Sequence, residues 1–393
     1  KRSETEYNMN NFIPFTKIGI IGGGQLGKMI TQKAKKMGFW VTVLDPTKNS
    51  PAGQIADNQI AGNFYDKNKL KELVEQCDVT TYDIEHINTG ALKKLVHNGN
   101  TIYPSPDLLE IIQDKLQQKN VLSQNGIPVP KYKKIKKSDF LNPEKLHFPI
   151  VQKARKGGYD GKGVVVIRNK NDLKLKNILQ VDSFIEEFVD IKKELAVMVA
   201  RNQNGEVRTY PVVEMLFDKR INVCDMVIAP ARIENQLQEK AKKVAVKSIE
   251  CLDGVGIFGV EMFLSKDKKI LVNEIAPRPH NSGHYTIEAC VTCQFEQHIR
   301  AITNLPLGST DLIIPAVMLN LLGEEGYEGS PVVEGLQEAL AIDGVSFHFY
   351  GKKKTYPFRK MGHVTIVNKN LEKAIEIAKK VKTFLKIKGE LKK

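Results

Sequence analysis

The stretch IGIIGGGQLG, residues 18–27, constrains this chain more than any other segment. A short apolar strand runs straight into Gly22, Gly24 and Gly27, in G-x-G-x-x-G spacing, and a helical pattern follows at once. Glycines at these positions let backbone pass close to a neighbouring group, and the helix start offers free N–H donors. The unit fits a parallel, doubly wound α/β sheet. The next hundred residues keep that rhythm: strands at 17–21, 40–44, 78–82 and 101–103 alternate with helices at 25–37, 67–77 and 89–97. Asp45, ending the second strand, stands where a dinucleotide fold places the acid that binds a ribose. An NAD-dependent oxidoreductase is therefore one expectation of this region.

The texture changes after Tyr103-Pro-Ser-Pro106, which marks a boundary. A helix over 108–124 leads into mostly antiparallel strands at 164–167, 184–188, 195–200, 210–216, 257–264 and 270–275, with a helix over 234–250. Shorter strands at 316–321, 346–350 and 363–366 and a helix from Leu371 close the chain. The organisation read from this is a tail at 1–16 with Met9 as a candidate start, an α/β domain at 17–106, a central domain at 107–305 and a C-terminal domain at 306–393.

Composition narrows the classes. With 393 residues, 41% hydrophobic and 26% charged, the chain fits a soluble protein of two or three domains. No apolar run reaches the roughly 18 residues of a membrane helix, so a cytoplasmic location is expected and no membrane partner. The net charge of +14 comes from dispersed lysines with no nucleic-acid-binding motif, which argues against a nucleic-acid partner. Five cysteines imply no disulfide framework. Cys290 and Cys293 fall in a helical-looking run, 285–304, and read as two packed thiols.

The chemistry concentrates elsewhere. Lys153 is followed by ARKGGYDGKG, in which Gly157, Gly158, Gly161 and Gly163 lie between two strands. Such a loop can fold over a triphosphate while the lysine meets phosphate oxygens. G-K-[ST] is missing, so it is not a P-loop. Downstream, Glu261 in GVEMFL and Asn273-Glu274 in LVNEIAPR provide an all-oxygen donor set suited to Mg2+. His280 and His284 are four apart, but Ser282-Gly283 between them breaks the helix that a zinc pair would need.

The order lysine, glycine loop, then E…N-E on late strands resembles the ATP-grasp ligases. GGGQLGKM at 22–29, KGGYDGKG at 156–163, NEIAPRPHNSGHYTIEAC at 273–290 and GKKKTYPFRKMGH at 351–363 resemble the 5-(carboxyamino)imidazole ribonucleotide synthase family in particular. The resemblance spans about residues 17–370. It implies an ATP-grasp fold, mixed α/β and α+β, with an N-terminal doubly wound domain and a small C-terminal one. It also implies ATP and Mg2+, bicarbonate and 5-aminoimidazole ribonucleotide as substrates, and a homodimer. ATP would meet Lys115, Lys153, the loop from Gly157 through Gly158, Tyr159, Asp160, Gly161 and Lys162 to Gly163, the hinge Glu186, Glu187 and Val189, and Glu194 and Asn273. Glu261 and Glu274 would hold the metal. Arg278, His280 and Asn281 would act in catalysis beside Ser282. Ser282 would also bind substrate, and Gln25, Leu26, Glu85, Tyr159, Asp160, Lys352 and Arg359 would contact the ribonucleotide.

In that reading the first glycine turn presents its amides, with Gln25, to a nucleotide substrate and not to NAD. One departure stands out: relatives carry a phosphate-touching histidine where this chain reads Leu-Phe-Asp-Lys-Arg, 216–220, so Lys219 or Arg220 is expected to replace it. A formate-dependent ATP-grasp transformylase is the nearest alternative in mechanism.

Overall fold

In the computed structural model, the described residues are 15–136, 140, 144, 146–158, 163–173, 178–218 and 223–391. The first unit is β1 (Lys17–Ile21), α1 (Gln25–Lys36), β2 (Trp40–Asp45), β3 (Asn58–Ala61), α2 (Lys67–Val74), β4 (Val79–Tyr82) and α3 (Thr89–His97). Its strands form a wholly parallel sheet in the order β3-β2-β1-β4. β1 and β2 have almost every side chain buried, as parallel strands covered on both faces require. The expected strand at 101–103 reduces to one bridge, Thr80 to Ile102, and β3 joins the edge from a segment with little strand signal.

The helix expected over 108–124 is two helices, α4 (Pro106–Gln113) and α5 (Lys115–Gln124). Asp114 separates them. Its backbone is extended, and its carboxylate accepts from the N–H groups of Leu116 and Gln117, so it caps α5. The strands β5 (Tyr132–Lys134), β6 (Ile150–Ala154), β7 (Val164–Ile167) and β8 (Ser183–Glu187) then make an antiparallel sheet in the order β5-β8-β6-β7. The glycine loop joins β6 to β7, as expected.

The large sheet begins with β9 (Ile191–Arg201), β10 (Val207–Thr209), β11 (Val213–Asp218) and β12 (Val223–Ala229). The helix α6 (Asn235–Glu250) leads to β13 (Gly256–Ser265) and β14 (Ile270–Ala276). The run at 285–304 is not one helix. It breaks into α7 (Thr286–Ala289) and α8 (Gln294–Ile302), with Cys290 extended and Cys293 at the α8 N-cap. The two thiols are buried and free but do not share a helix face. The chain ends with β15 (Ala316–Leu322), β16 (Tyr327–Glu334), α9 (Leu336–Leu340), β17 (Val345–Phe349), β18 (Lys360–Val367), α10 (Leu371–Phe384) and β19 (Lys386–Leu391).

β15 pairs with β12, so the late strands extend the central sheet. The order is β14-β13-β9-β11-β12-β15-β18-β17, with β10 on β9. β16 and β19 form a separate pair. α6 covers one face through Leu237, Ala241, Val244, Ala245 and Ile249, and α10 covers the late strands through Ala374, Ile375, Ala378 and Val381.

Buried polar groups tie the first sheet to the large one. His298 of α8 accepts at Nδ1 from the Ile257 N–H (3.2 Å), so its Nε2–H donates to Thr81 Oγ1 (2.8 Å) of β4. The ring is neutral, and burial holds its pKa down at about 3. An unfolded histidine takes its proton near pH 6.5. The stability this residue carries is therefore complete above pH 6.5 and is lost as pH falls from 6.5 towards 3, by about 2 kcal/mol at pH 5. Thermal melts should show a steeper loss of midpoint between pH 7 and pH 5 in the wild type than in His298→Gln. At pH 7 that variant should be about 2 kcal/mol less stable, because a buried N–H loses its acceptor. Parallel pH profiles for the two proteins would refute the assignment.

Candidate active site

A cleft of about 800 Å3 opens between the four-stranded antiparallel sheet, the β13–β14 end of the large sheet and the loops at the C-terminal ends of β1 and β4. Most of the residues singled out from the sequence line it. The sheet register explains how its carboxylates converge. Glu261 of β13 lies directly opposite Glu274 of β14, and the next pair is Met262 with Val272. Asn273 is the extra residue of a β-bulge there, and a bulge re-aims side chains. Hence the consecutive Asn273 and Glu274 both line the cleft.

Each has a lysine. Lys115, the first residue of α5, hydrogen-bonds the Glu274 carboxylate, and Lys153 Nζ donates to Asn273 Oδ1 (2.8 Å). Burial and the charges of Glu274 and Glu194 push the Glu261 carboxyl upward. Burial also acts upward on Glu274, but Lys115 outweighs it and keeps that group ionised. Glu194, in the same wall, is pushed up to about 7 by burial, with Lys153 opposing. Facing carboxylates that resist joint ionisation are a donor set that a divalent cation would relieve, so the residues fit Mg2+. No cluster of three His, Cys, Asp or Glu makes a closed metal cage among the described residues. Two carboxylates completed by phosphate oxygens are the usual magnesium arrangement.

Behind this wall sits a buried ion triad. Glu186 of β8 is bracketed by Lys153 (2.7 Å) and by Lys119 of α5 (3.0 Å), and Lys119 also donates to the Val272 carbonyl (2.9 Å). Lys119 is 1% exposed and Glu186 2%. Burial lowers the Lys119 ammonium to about 8 against the pull of Glu186. The Glu186 side chain is therefore committed to lysines. The hinge continues along the cleft with Glu187, Phe188 and Val189, and Phe263 lies opposite Lys153, its ring 6.0 Å from Nζ.

The segment 278–284 crosses the middle. Arg278 Nη2 pairs with Glu85 (2.9 Å) from the loop after β4. His280 Nδ1 shares a hydrogen bond with Ser282 Oγ (2.9 Å), and its Nε2 lies 3.4 Å from Glu261. The short helical turn Asn281–Gly283 is 3-10, which takes His280 and His284 out of any metal-binding helix. Asn281 exchanges two 2.8 Å amide hydrogen bonds with Asn320 of β15, so part of its hydrogen-bonding capacity is already used.

The first glycine turn differs from expectation. The Gly23 N–H donates to Asp45 Oδ2 (2.8 Å) and the Gly27 N–H to Asp83 Oδ2 (2.8 Å), while Asp45 Oδ1 accepts from Thr47 N–H (2.7 Å). At Gly22, φ is 106° and a Cβ would meet Asp83 Oδ1 at 1.6 Å. The turn is closed on its own carboxylates. Asp45, engaged by the Gly23 and Thr47 N–H groups, is already occupied where NAD would need a ribose-binding acid. Gln25 and Leu26, at the start of α1, do line the cleft, with Glu85.

Three expected residues among those described stay outside the cleft lining, Lys352, Arg359 and Gly163. Lys352 Nζ donates to the Lys360 carbonyl (2.7 Å) beside the Tyr350 ring, and Arg359 donates to the Lys354 carbonyl (2.6 Å) beside Tyr356. Lys360, passed over in the sequence, lines the cleft instead. Gly157 and Gly158 line it too, while Gly163, at φ 82°, closes the loop by accepting from Ala154 N–H (2.8 Å). Tyr159, Asp160, Gly161 and Lys162 lie outside the described residues, as do Lys219 and Arg220. Beside that segment, the β11–β12 register shifts between Leu216 and Phe217, and Phe217 lines the cleft.

Sequence reasoning also missed Lys119, Asp114 and Arg155. The spacing Lys115–Lys119 on one helix face was the available signal for the first. Arg155 Nε donates to Asp114 Oδ1 (3.2 Å), and the Lys115 N–H donates to the Arg155 carbonyl (2.8 Å). Lys119→Met should lower stability by about 3 kcal/mol, because a buried carboxylate loses half of its compensation. Thermal or urea melts measure this, and an unchanged midpoint would show the triad to be energetically idle.

Comparisons with known proteins agree with this geometry. Residues 15–113 match the model of the ribonucleotide synthetase preATP-grasp domain. Residues 120–295 match the ATP-grasp domain, and 316–377 match the phosphoribosylaminoimidazole carboxylase C-terminal domain. The chain is 42% identical to the N5-carboxyaminoimidazole ribonucleotide synthase of Bacillus subtilis, over 90% of this chain and 92% of that protein. It is also 42% identical to the phosphoribosylaminoimidazole carboxylase of Saccharomyces cerevisiae, covering 89% of this chain and 63% of that one. Among solved structures, N5-carboxyaminoimidazole ribonucleotide synthetase from Thermotoga maritima superposes with a TM-score of 0.89 at 60% identity, covering 95% of this chain and all (100%) of that one. The Aspergillus clavatus synthase, solved with ADP and 5-aminoimidazole ribonucleotide, gives 0.84 at 34% identity, covering 94% and 98%.

Proposed function

The chain belongs to the N5-carboxyaminoimidazole ribonucleotide synthase family, and from that premise we propose how its cleft works. It is an ATP-grasp ligase that carboxylates 5-aminoimidazole ribonucleotide in purine biosynthesis, forming a C–N bond. In our reading the one-carbon donor is bicarbonate. A bicarbonate oxygen attacks the γ-phosphorus, the bond to the β-γ bridging oxygen breaks, and ADP leaves. The exocyclic amine then attacks the carbon of the resulting carboxyphosphate, or of the CO2 it releases. Phosphate leaves and takes up the amine proton.

Bicarbonate carbon is a poor electrophile because its charge is delocalised, and phosphorylation supplies the leaving group. The protein's work is positioning and neutralising charge. Lys153 and the 157–163 loop hold the ATP phosphates, and the 187–189 hinge and the Phe188, Val189 and Phe263 surface take the base. Glu194 takes the ribose. Glu261 and Glu274, with Asn273, would hold Mg2+, which neutralises phosphate charge during transfer. Lys115 keeps Glu274 ionised for that task. Arg278 grips bicarbonate with its planar fork, beside His280, Asn281 and Ser282. Gln25, Leu26 and Glu85 meet the ribonucleotide, with Tyr159 and Asp160. Lys352 and Arg359, which stand outside the lining, would turn from their carbonyl partners to meet its phosphate. A cytoplasmic homodimer belongs to the same reading.

The observation that carries this is the junction at Arg278. It lies in the strip between the carboxylate pair and Glu85, so an acid activated at one end faces an amine held at the other. Measuring ADP release with Mg·ATP tests it. Strong stimulation should require bicarbonate and 5-aminoimidazole ribonucleotide together, and stimulation by formate instead would move the chain to the transformylases. Glu274→Gln should lower turnover at least about 100-fold, and near-wild-type rates would remove the metal assignment. Lys352→Ala should raise KM for the ribonucleotide more than it lowers kcat. A fall in kcat alone would give Lys352 another role.

A further inference from the structure

The junction between α4 and α5 reaches several walls of the cleft through residues 113–119. Gln113 Nε2 donates to two backbone carbonyls of the first domain, Glu85 (2.7 Å) and Ile87 (2.9 Å). Asp114 caps α5 and takes the Arg155 guanidinium. Arg155 is the second residue before Gly157 of the glycine loop, and its N–H donates to the Asp182 carbonyl (2.9 Å). Lys115 holds Glu274. Gln118 brackets Ile275, accepting from its N–H (3.1 Å) and donating to its carbonyl (3.4 Å). Lys119 holds Glu186.

The loop over 83–87 is the other half of the argument. Asp83 accepts from the glycine turn, Glu85 pairs with Arg278, and Ile87 is buried beneath it. The Gln113 amide holds the backbone on both sides of His86, and thus the stretch that aims the Glu85 carboxylate. Gln113, beside the helix break, holds the backbone of this loop, and the break itself is locked to the end of β6 through Asp114 and Arg155.

We propose that Gln113 is a positioning residue that sets Glu85 for the ribonucleotide amine, anchored by a helix break that Asp114 and Arg155 fix to the end of β6. The inference rests on the reading of Glu85 as a ribonucleotide contact. The placement has a chemical purpose: carboxyphosphate is labile, and an enzyme that cleaves ATP without the amine in place wastes it. An Nε2–H pair is needed because the partners are carbonyls. A glutamate of the same shape offers only acceptors at neutral pH and repels them.

The experiment compares wild type, Gln113→Glu, Gln113→Leu, Glu85→Gln and the Gln113→Leu/Glu85→Gln double variant. KM values for 5-aminoimidazole ribonucleotide and ATP are measured, with the ratio of ADP released to amine carboxylated. Both Gln113 variants should raise the ribonucleotide KM about tenfold and raise the ADP-to-product ratio. The ATP KM of the ribonucleotide-independent reaction should be unchanged. The double variant should be no worse than Glu85→Gln alone, because effects exerted through one group are not additive. Full additivity, or equal shifts in both KM values, would overturn the proposal and make Gln113 a packing residue. So would Gln113 variants with wild-type ribonucleotide KM and ratio, provided Glu85→Gln is impaired. If Glu85→Gln itself leaves the ribonucleotide KM unmoved, the underlying substrate reading has failed, a different result. Should Gln113→Leu not fold, the isosteric Gln113→Glu against Glu85→Gln carries the same comparison.

Discussion

The cleft depends on lysines compensating carboxylates along one face of α5, one pair buried and the other part-exposed. Lys115 on Glu274 and Lys119 on Glu186 join three separate pieces of the chain: a helix, a strand of the large sheet and a strand of the small one. Burial disfavours the charged form of Glu186, and Lys119 and Lys153 oppose that push. With the lysines in place, charge persists inside the protein where a triphosphate and a divalent ion would be handled. Lys153 belongs to both circles, touching Glu186 and Asn273, so it is held by the protein before any nucleotide arrives. That preorganisation is what electrostatic catalysis requires, because the groups need not reorient as charge develops.

The first glycine turn shows how one motif serves different ends. In a dinucleotide fold its amides face an anion from outside. Here Asp45 and Asp83 take those amides from within, and burial, opposed by the Gly27 hydrogen bond, pushes the Asp83 carboxyl up to about 6. The turn becomes a rigid corner that aims Gln25 and Leu26. The chemistry moves to the second glycine loop, whose base is fastened through Arg155. Two glycine-rich turns in one chain thus divide the work, the first supplying shape and the second, in the proposed function, meeting phosphate.

Much of the fold was legible because period and punctuation agree with it. The strand 17–21, the helix 89–97 and the strand 164–167 have the bounds their patterns imply. Where the reading failed, tertiary contacts won. Apolar spacing runs on through Asp114, yet the chain breaks there because that carboxylate caps a new helix and receives Arg155, 41 residues away. The run through Cys290 looks helical, but Cys290 extends to bridge Leu312. β12 follows residues with no strand signal and is a strand because β11 and β15 flank it. Among site residues, Glu261, Asn273 and Glu274 were readable from the motif order. Lys119 and Gln113 were not, since each looks like a polar residue on an exposed helix until its partners are in place.

By itself, the sequence determined the alternation of elements, the two glycine turns, and the residue types that phosphate and magnesium chemistry need. These are local properties, written in periodicity and in side-chain chemistry over a few residues. Only the tertiary structure decided that the first turn is closed by its own aspartates, that a bulge turns both Asn273 and Glu274 into the cleft, and that Arg278 meets Glu85 across domains. Those outcomes depend on strand register and on pairings up to hundreds of residues apart, such as Lys28 of α1 on the carbonyls of Phe349 and Tyr350. No local pattern encodes such a pairing, because its free energy exists only once both partners have been buried together.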